Sequence, residues 1–201
     1  RRSMRTLARI VLCALLAGCA GAPKKPAIAP LAAGSVAPDD NLNAVAWTRT
    51  AIEHDLIYRE VYRVAGEKLR AALDDPTWDA LPARDRKQAL SATLKPAVIV
   101  DIDETVLDNS PYQARLVADG KAYDEFTWSE WCREQRAKPL PGALEFAQDA
   151  AKRGVAVFYL SNRAQDLNAA TLANLRADGF PVEDDAAFLG VDPSGLILRL
   201  I

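Results

Sequence analysis

Apolar and polar positions change rhythm several times along this chain, and each change marks an element. From Asn43 to about Leu73, apolar residues at Tyr58, Val61, Tyr62, Ala65, Leu69 and Leu73 recur at three- and four-residue spacings, which predicts an amphipathic helix. Asp74-Asp75-Pro76 ends it, and a second, more polar helix is predicted around Ala83 to Ala92. Lys95-Pro96 then leads into Ala97-Val98-Ile99-Val100, a short apolar run of the kind found in strands buried on both faces of a parallel sheet. Helical spacing returns from Ala143 to Arg153, with Gly154 as its stop. A second apolar run, Val155 to Leu160, is followed by a helix from about Gln165 to Ala177, and a third strand is predicted near Ala187 to Val191. Strand, helix, strand, helix implies parallel pairing through right-handed crossovers, an α/β architecture with the two early helices as an N-terminal layer.

Between these runs, residues 113 to 142 carry Tyr123, Phe126, Trp128 and Trp131 with charges interleaved, and Pro139 to Gly142 punctuates the end of the segment. Such a stretch is either a lid over a pocket or a helical subdomain with its own small core.

The amino end follows a different logic. Arg5 and Arg9 precede an apolar core from Ile10 to Ala17 that is too short to span a bilayer, the pattern of a secretory signal over residues 1–18. Its end, Leu16-Ala17-Gly18-Cys19, resembles a bacterial lipobox, which makes Cys19 the lipidated first residue of the mature protein. Ala20 after that cysteine resembles the outer-membrane pattern. The Ala-, Pro-, Gly- and Lys-rich stretch up to residue 42 has no periodic apolar face and reads as a tether, leaving residues 43–201 as the folded domain. An exported, lipid-anchored protein is the expectation.

Composition narrows the picture further. At 201 residues with 50% hydrophobic and 26% charged residues, the chain supports one globular domain. Removing residues 1–18 takes four Arg from the 25 basic residues and no acid, so 21 face 27 acidic residues; this mildly acidic body offers no electrostatic case for nucleic acid. Of the three cysteines, Cys13 lies in the signal and Cys19 takes the lipid, so Cys132 has no partner for an intramolecular disulfide. With the sole histidine, His54, far away on a helical segment, Cys132 reads as a structural thiol rather than a nucleophile.

The chemistry concentrates where the first apolar run ends. Three carboxylates, Asp101, Asp103 and Glu104, fall within four positions, and the second strand ends in Ser161-Asn162-Arg163. In a parallel sheet both ends open on the same edge, where open α/β sheets bind ligands. A carboxylate among hydroxyls and backbone N–H groups suits phosphate transfer: Asp101 attacks to give an acyl phosphate, while Asp103 protonates the leaving alkoxide and later deprotonates water. A phosphate dianion beside carboxylates needs a cation, and Mg²⁺ fits, with the Asp101 side chain and the Asp103 backbone carbonyl as ligands. The plainer alternative for Asp-x-Asp at a strand end is capping of the following turn.

DIDETVLDNSPY resembles the first motif of the haloacid dehalogenase superfamily of phosphatases. The extended form, IVDIDETVLDNSPY, resembles the class C bacterial acid phosphatases, a surface-lipoprotein branch with acid phosphatase and 5'-nucleotidase members. Trp47, Trp128 and Trp131, Pro141-Gly142 and Tyr159-Leu-Ser-Asn-Arg163 fall in that family's order, and the resemblance covers roughly residues 43 to 189. It implies a Rossmann-like parallel sheet with a small cap and a Mg²⁺-dependent phosphomonoesterase. Asp101 is then the nucleophile, Asp103 the acid/base, and Ser161 and Asn162 the phosphate binders. Trp128 either stacks on an aromatic substrate or packs within the cap. Glu104, Asp108 and Asn109 read as hydrogen-bonding supports of the loop. Two family parts have no counterpart: the last lysine is Lys152, and after Asp185 the only acid is Asp192. GVDPSGLILRLI therefore reads as the place where C-terminal strands are missing, and the expectation is a phosphatase by descent that is poorly stable and inactive as written unless Arg163 or Arg199 replaces the lysine; the alternatives are a non-catalytic surface lipoprotein that binds phosphate esters and an unstable fragment.

Overall fold

The computed structural model describes residues 39–80, 84, 95–182 and 188–191. The expected signal, Cys19, most of the tether, the helix near 83–92 (Arg84 excepted) and the stretch after Val191 lie outside the described residues.

The first helix predicted for the N-terminal layer is two, α1 (Leu42–Thr50) and α2 (Ile52–Asp74). The chain breaks at Ala51, whose backbone is extended (φ −80°, ψ 124°), and the Thr50 hydroxyl donates back to the Ala46 carbonyl at 2.7 Å. This bend folds Trp47 back onto His54, with ring centroids 5.5 Å apart. The inward face of α2 carries His54, Tyr58, Tyr62, Gly66 and Leu69, spaced at three to four residues. Val61 and Leu73, expected on that face, are exposed.

Among the described residues, three parallel strands follow the order β1 (Ala97–Asp101), β4 (Ala156–Ala164), β5 (Phe188–Val191). β4 runs four residues past the expected end, through Ser161, Asn162, Arg163 and Ala164; its register against β5 shifts between Leu160 and Ala164. The expectation that β1 is buried on both faces is not met. Val98 and Val100 pair with Val157 and Tyr159 on the core side, while Ile99 is 52% exposed and Leu160, on the same side, 39%. β1 is an edge strand among the described residues, and its second face lacks the cover that makes a run of β-branched residues fully buried.

Helices α5 (Ala143–Lys152) and α6 (Asn168–Ala177) occupy the predicted places, α6 entered through a 3₁₀ turn at Gln165–Leu167. Ala147, Ala150, Leu172 and Leu175 join Val157 and Tyr159 in the core. The 113–142 segment is a helical cap: α3 (Ser110–Asp119) and α4 (Glu125–Glu134) are joined to the sheet layer by a short antiparallel pair, β2 (Leu107–Asp108) and β3 (Lys138–Pro139). Asp124 caps α4 by accepting from the Thr127 amide at 3.0 Å. Tyr112, Leu116, Trp131 and Cys132 are buried beneath the cap. Among the described residues no helix is long and apolar enough to cross a membrane.

Candidate active site

β1 delivers Asp101 to its carboxyl end, and the chain turns at once through Ile102 to Leu107. The turn is tied together by the Ile102 carbonyl, which accepts from the amides of Thr105, Val106 and Leu107, while the Glu104 amide donates to the Leu107 carbonyl. Glu104 adopts a left-handed backbone (φ 52°), a conformation that costs a non-glycine residue about 1 kcal/mol or more. Its carboxylate accepts from the Asn109 amide at 3.0 Å and the Asn109 side-chain nitrogen at 3.4 Å. Desolvation raises the pKa of that carboxyl against the lowering pull of Asn109.

The two aspartates are prepared differently. Asp101 Oδ2 accepts one hydrogen bond, from the Thr105 hydroxyl at 2.8 Å, and the carboxylate is exposed. Asp103 is saturated. Its Oδ1 accepts from Arg163 Nη2 (2.6 Å), Arg163 Nε (3.1 Å) and Asn109 Nδ2 (2.8 Å), and its Oδ2 from Arg163 Nε (3.1 Å) and the Ser161 hydroxyl (3.3 Å). The Arg163 side chain is 1% exposed and that of Asp103 17%, so the pair is largely withdrawn from water. Arg163 also donates to the Thr171 hydroxyl at 3.1 Å and lies 5.4 Å from the Trp128 ring centroid.

Asn109 is the hub that joins loop, cap and strand. Its carbonyl oxygen accepts from the Trp131 indole at 2.9 Å and from Arg163 Nη2 at 3.5 Å, while its nitrogen serves Asp103 and Glu104. Asp108 accepts from the Ser110 amide, the supporting role expected of it.

Of the expected site residues, Asp103 and Ser161 meet directly, while Asp101 ends β1 at the same carboxyl edge of the sheet, bonded to Thr105 and on the face opposite Ser161. Ser161 is buried, with its hydroxyl given to Asp103 while it accepts from the Arg163 amide at 3.0 Å. Asn162 is exposed and, by strand alternation, falls on the side of β4 that carries Leu160 and, across the pairing, Asp101. Trp128 is half-buried against Tyr112 and Tyr123 (5.3 and 6.3 Å between centroids) and packs in the cap beside Arg163. Sequence reasoning gave no role to Thr105 and cast Arg163 only as a lysine substitute. The Thr105 signal was available, as a hydroxyl four positions after Asp101; the Arg163 contact spans 60 residues and follows only from the parallel pairing.

Cys132 is 3% exposed and burial pushes its thiol up to about 11, so it is a core group. His54 packs between Trp47 and Tyr58 and meets Asp55 through Nδ1. Among the described residues no group of three or more His, Cys, Asp and Glu side chains is arranged to hold a metal.

Comparison with known proteins decides the family. The model of the HAD superfamily, subfamily IIIB (acid phosphatase) matches residues 67–196. The chain belongs to this family. A class C acid phosphatase from Bacillus anthracis with tungstate bound is similar at 36% identity and a TM-score of 0.66, over 77% of this chain and 58% of that one. A second structure of the Bacillus anthracis class C acid phosphatase aligns with a TM-score of 0.64 at the same identity and coverage. Acid phosphatase 1 of Solanum lycopersicum is 32% identical over 82 residues, 41% of this chain and 32% of that protein. A stem 31 kDa glycoprotein of Glycine max is 34% identical over a stretch of the same length. The chain thus spans about a third of these curated relatives and somewhat over half of the solved structures. The HAD-type parallel α/β fold expected from the strand-end motifs is the one observed.

Proposed function

We propose that this chain is a phosphomonoesterase that works through an aspartyl phosphate on Asp101. The observation that carries the reading is the contrast between the two aspartates on one sheet edge: Asp101 exposed with one hydroxyl donor, Asp103 held by Arg163, Asn109 and Ser161. Asp101 Oδ1 attacks phosphorus as the bond from phosphorus to the ester oxygen breaks, with Thr105 holding Oδ2. Asp103 gives its proton to the departing alkoxide. Its Oδ1 stays in the grip of Arg163 Nη2 and Asn109, so the proton is carried on Oδ2, which gives up the bond from the Ser161 hydroxyl, the longest of the five at 3.3 Å, to hold it. Asp103 then takes a proton from water, which attacks phosphorus and releases Asp101 and inorganic phosphate.

Carboxylates at 101, 103, 104 and 108 surround a site in which Arg163 is the cation bonded to Asp103, so a phosphate dianion requires further positive charge. The donor set fits a hard, oxygen-seeking cation such as Mg²⁺ bound through few protein ligands. Asp103 has no side-chain lone pair to spare and would offer its backbone carbonyl, while Asp101 Oδ2, which accepts only the Thr105 bond, would keep a lone pair for the cation and leave Oδ1 for the attack. When bound, the cation supplies charge neutralisation between carboxylate and phosphate.

The tungstate named with the Bacillus anthracis structure, an oxyanion like phosphate, supports a phosphate ester as substrate. Trp128 beside Arg163, with Tyr123 against the Trp128 ring, favours esters with an aromatic or nucleoside group. The lipobox-like segment ending at Cys19 adds anchoring in the bacterial envelope, in the outer membrane, to this reading. The test is release of phosphate from p-nitrophenyl phosphate and a nucleoside monophosphate, with Mg²⁺ or with EDTA. Turnover that EDTA abolishes is expected; a folded protein inactive under both conditions overturns the reading.

A further inference from the structure

The catalytic turn is held from outside as well as from within. Two consecutive carbonyls at its apex point to α2: the Tyr58 hydroxyl donates to Glu104 O and the Tyr62 hydroxyl to Thr105 O, both at 2.6 Å. These carbonyls flank the left-handed Glu104 and the threonine that bonds Asp101. Neither is used by the hydrogen bonds within the turn, which draw on the carbonyls of Ile102 and Leu107.

The two rings are themselves fixed. Tyr58 lies tilted against the buried His54, ring centroids 4.8 Å apart, and Tyr62 lies 5.6 Å from Phe146 on α5. Gly142, at φ 87°, lets the chain pass so close to α2 that a Cβ there would lie 3.0 Å from Tyr62 Cβ. Burial, followed by the nearness of Tyr58 and Asp101, pushes the Tyr62 phenol up to about 12, so it remains a hydrogen-bond donor across the physiological range. Both tyrosines lie ahead of the stretch matched by the family model, which begins at residue 67.

We propose that Tyr58 and Tyr62 are positioning residues: their hydroxyls clamp the 103–106 turn in its left-handed form and thereby fix where Thr105 holds Asp101 and where Asp103 meets Arg163. In its kinetic consequence this rests on the phosphatase reading; in its structural content it does not. A backbone conformation that is costly in isolation persists only where its surroundings over-determine it, and α2 supplies two of the constraints.

The test compares the full chain with Tyr58→Phe, Tyr62→Phe and the double variant, which keep the rings and remove only the hydroxyls. Tyr159→Phe is the control, since it deletes a like bond to the Pro181 carbonyl away from the turn. Amide hydrogen exchange across 103–107 is expected to quicken at least tenfold in the double variant, with α6 and the control unchanged. Turnover is expected to lose at least tenfold in kcat with KM within twofold, the split of misplaced chemistry rather than weakened binding. Exchange within twofold of wild type overturns the clamp, as does a loosened turn with unchanged kcat. A wild-type chain without turnover overturns the phosphatase reading instead, and the exchange result then decides the clamp alone. Measuring both single variants keeps the test intact if the double variant does not fold.

Discussion

The side chain on which most of the site depends is Arg163. Its guanidinium touches Asp103, Asn109 and Thr171 and faces Trp128, and it is withdrawn from water. Removing it strands a mostly buried carboxylate. Arg163→Met is expected to destabilise the fold by about 3 kcal/mol in urea unfolding, at the low end for breaking a buried pair because Asp103 keeps some exposure and two other donors. A change under about 1 kcal/mol would mean that the pair is solvated as a surface ion pair is. At this scale the sequence was partly legible. Acids directly after an apolar run announce a site, because charge is tolerated only where the strand leaves the sheet. The donors on Asp103 were hidden, because Arg163 reaches it only through pairing between strands 60 residues apart. The turn supports Glu104, Asp108 and Asn109 were legible because Asx and Glu side chains cap backbone within a few residues.

At the scale of elements, the approach of α2 to the start of α5 turns on one glycine. Gly142 and Gly120 both have positive φ, but a Cβ at Gly120 would meet nothing within 4 Å whereas one at Gly142 would press on Tyr62. Gly120→Ala is therefore expected to carry the conformational cost alone, about 1 kcal/mol, and Gly142→Ala about 2 kcal/mol. Equal costs in denaturant titrations would contradict the close approach as a constraint on α2. The periodicities predicted α5, α6 and the three strands within a few residues. They failed in two places with physical causes. The α1–α2 break depends on an extended Ala51 that carries no punctuating Gly or Pro, and the uncovered side of β1 depends on what packs against it, which composition within the strand does not encode.

At the scale of the molecule, parallel pairing collects residues from four parts of the chain: tyrosines from α2, aspartates after β1, Asn109 and Trp128 at the cap, and Ser161 with Arg163 on β4. Each part alone has an ordinary structural explanation; their convergence on one sheet edge is what makes phosphoryl transfer the best-supported reading. Its central claim is covalent, and so is its most direct test. The full chain, incubated with Mg²⁺ and p-nitrophenyl phosphate, is quenched in acid during turnover and its peptides are weighed. The account predicts one phosphoryl group on the peptide carrying Asp101, absent when Asp101→Asn is treated in the same way. Phosphate release that persists in Asp101→Asn, or turnover with no phosphoryl group on Asp101, would contradict it.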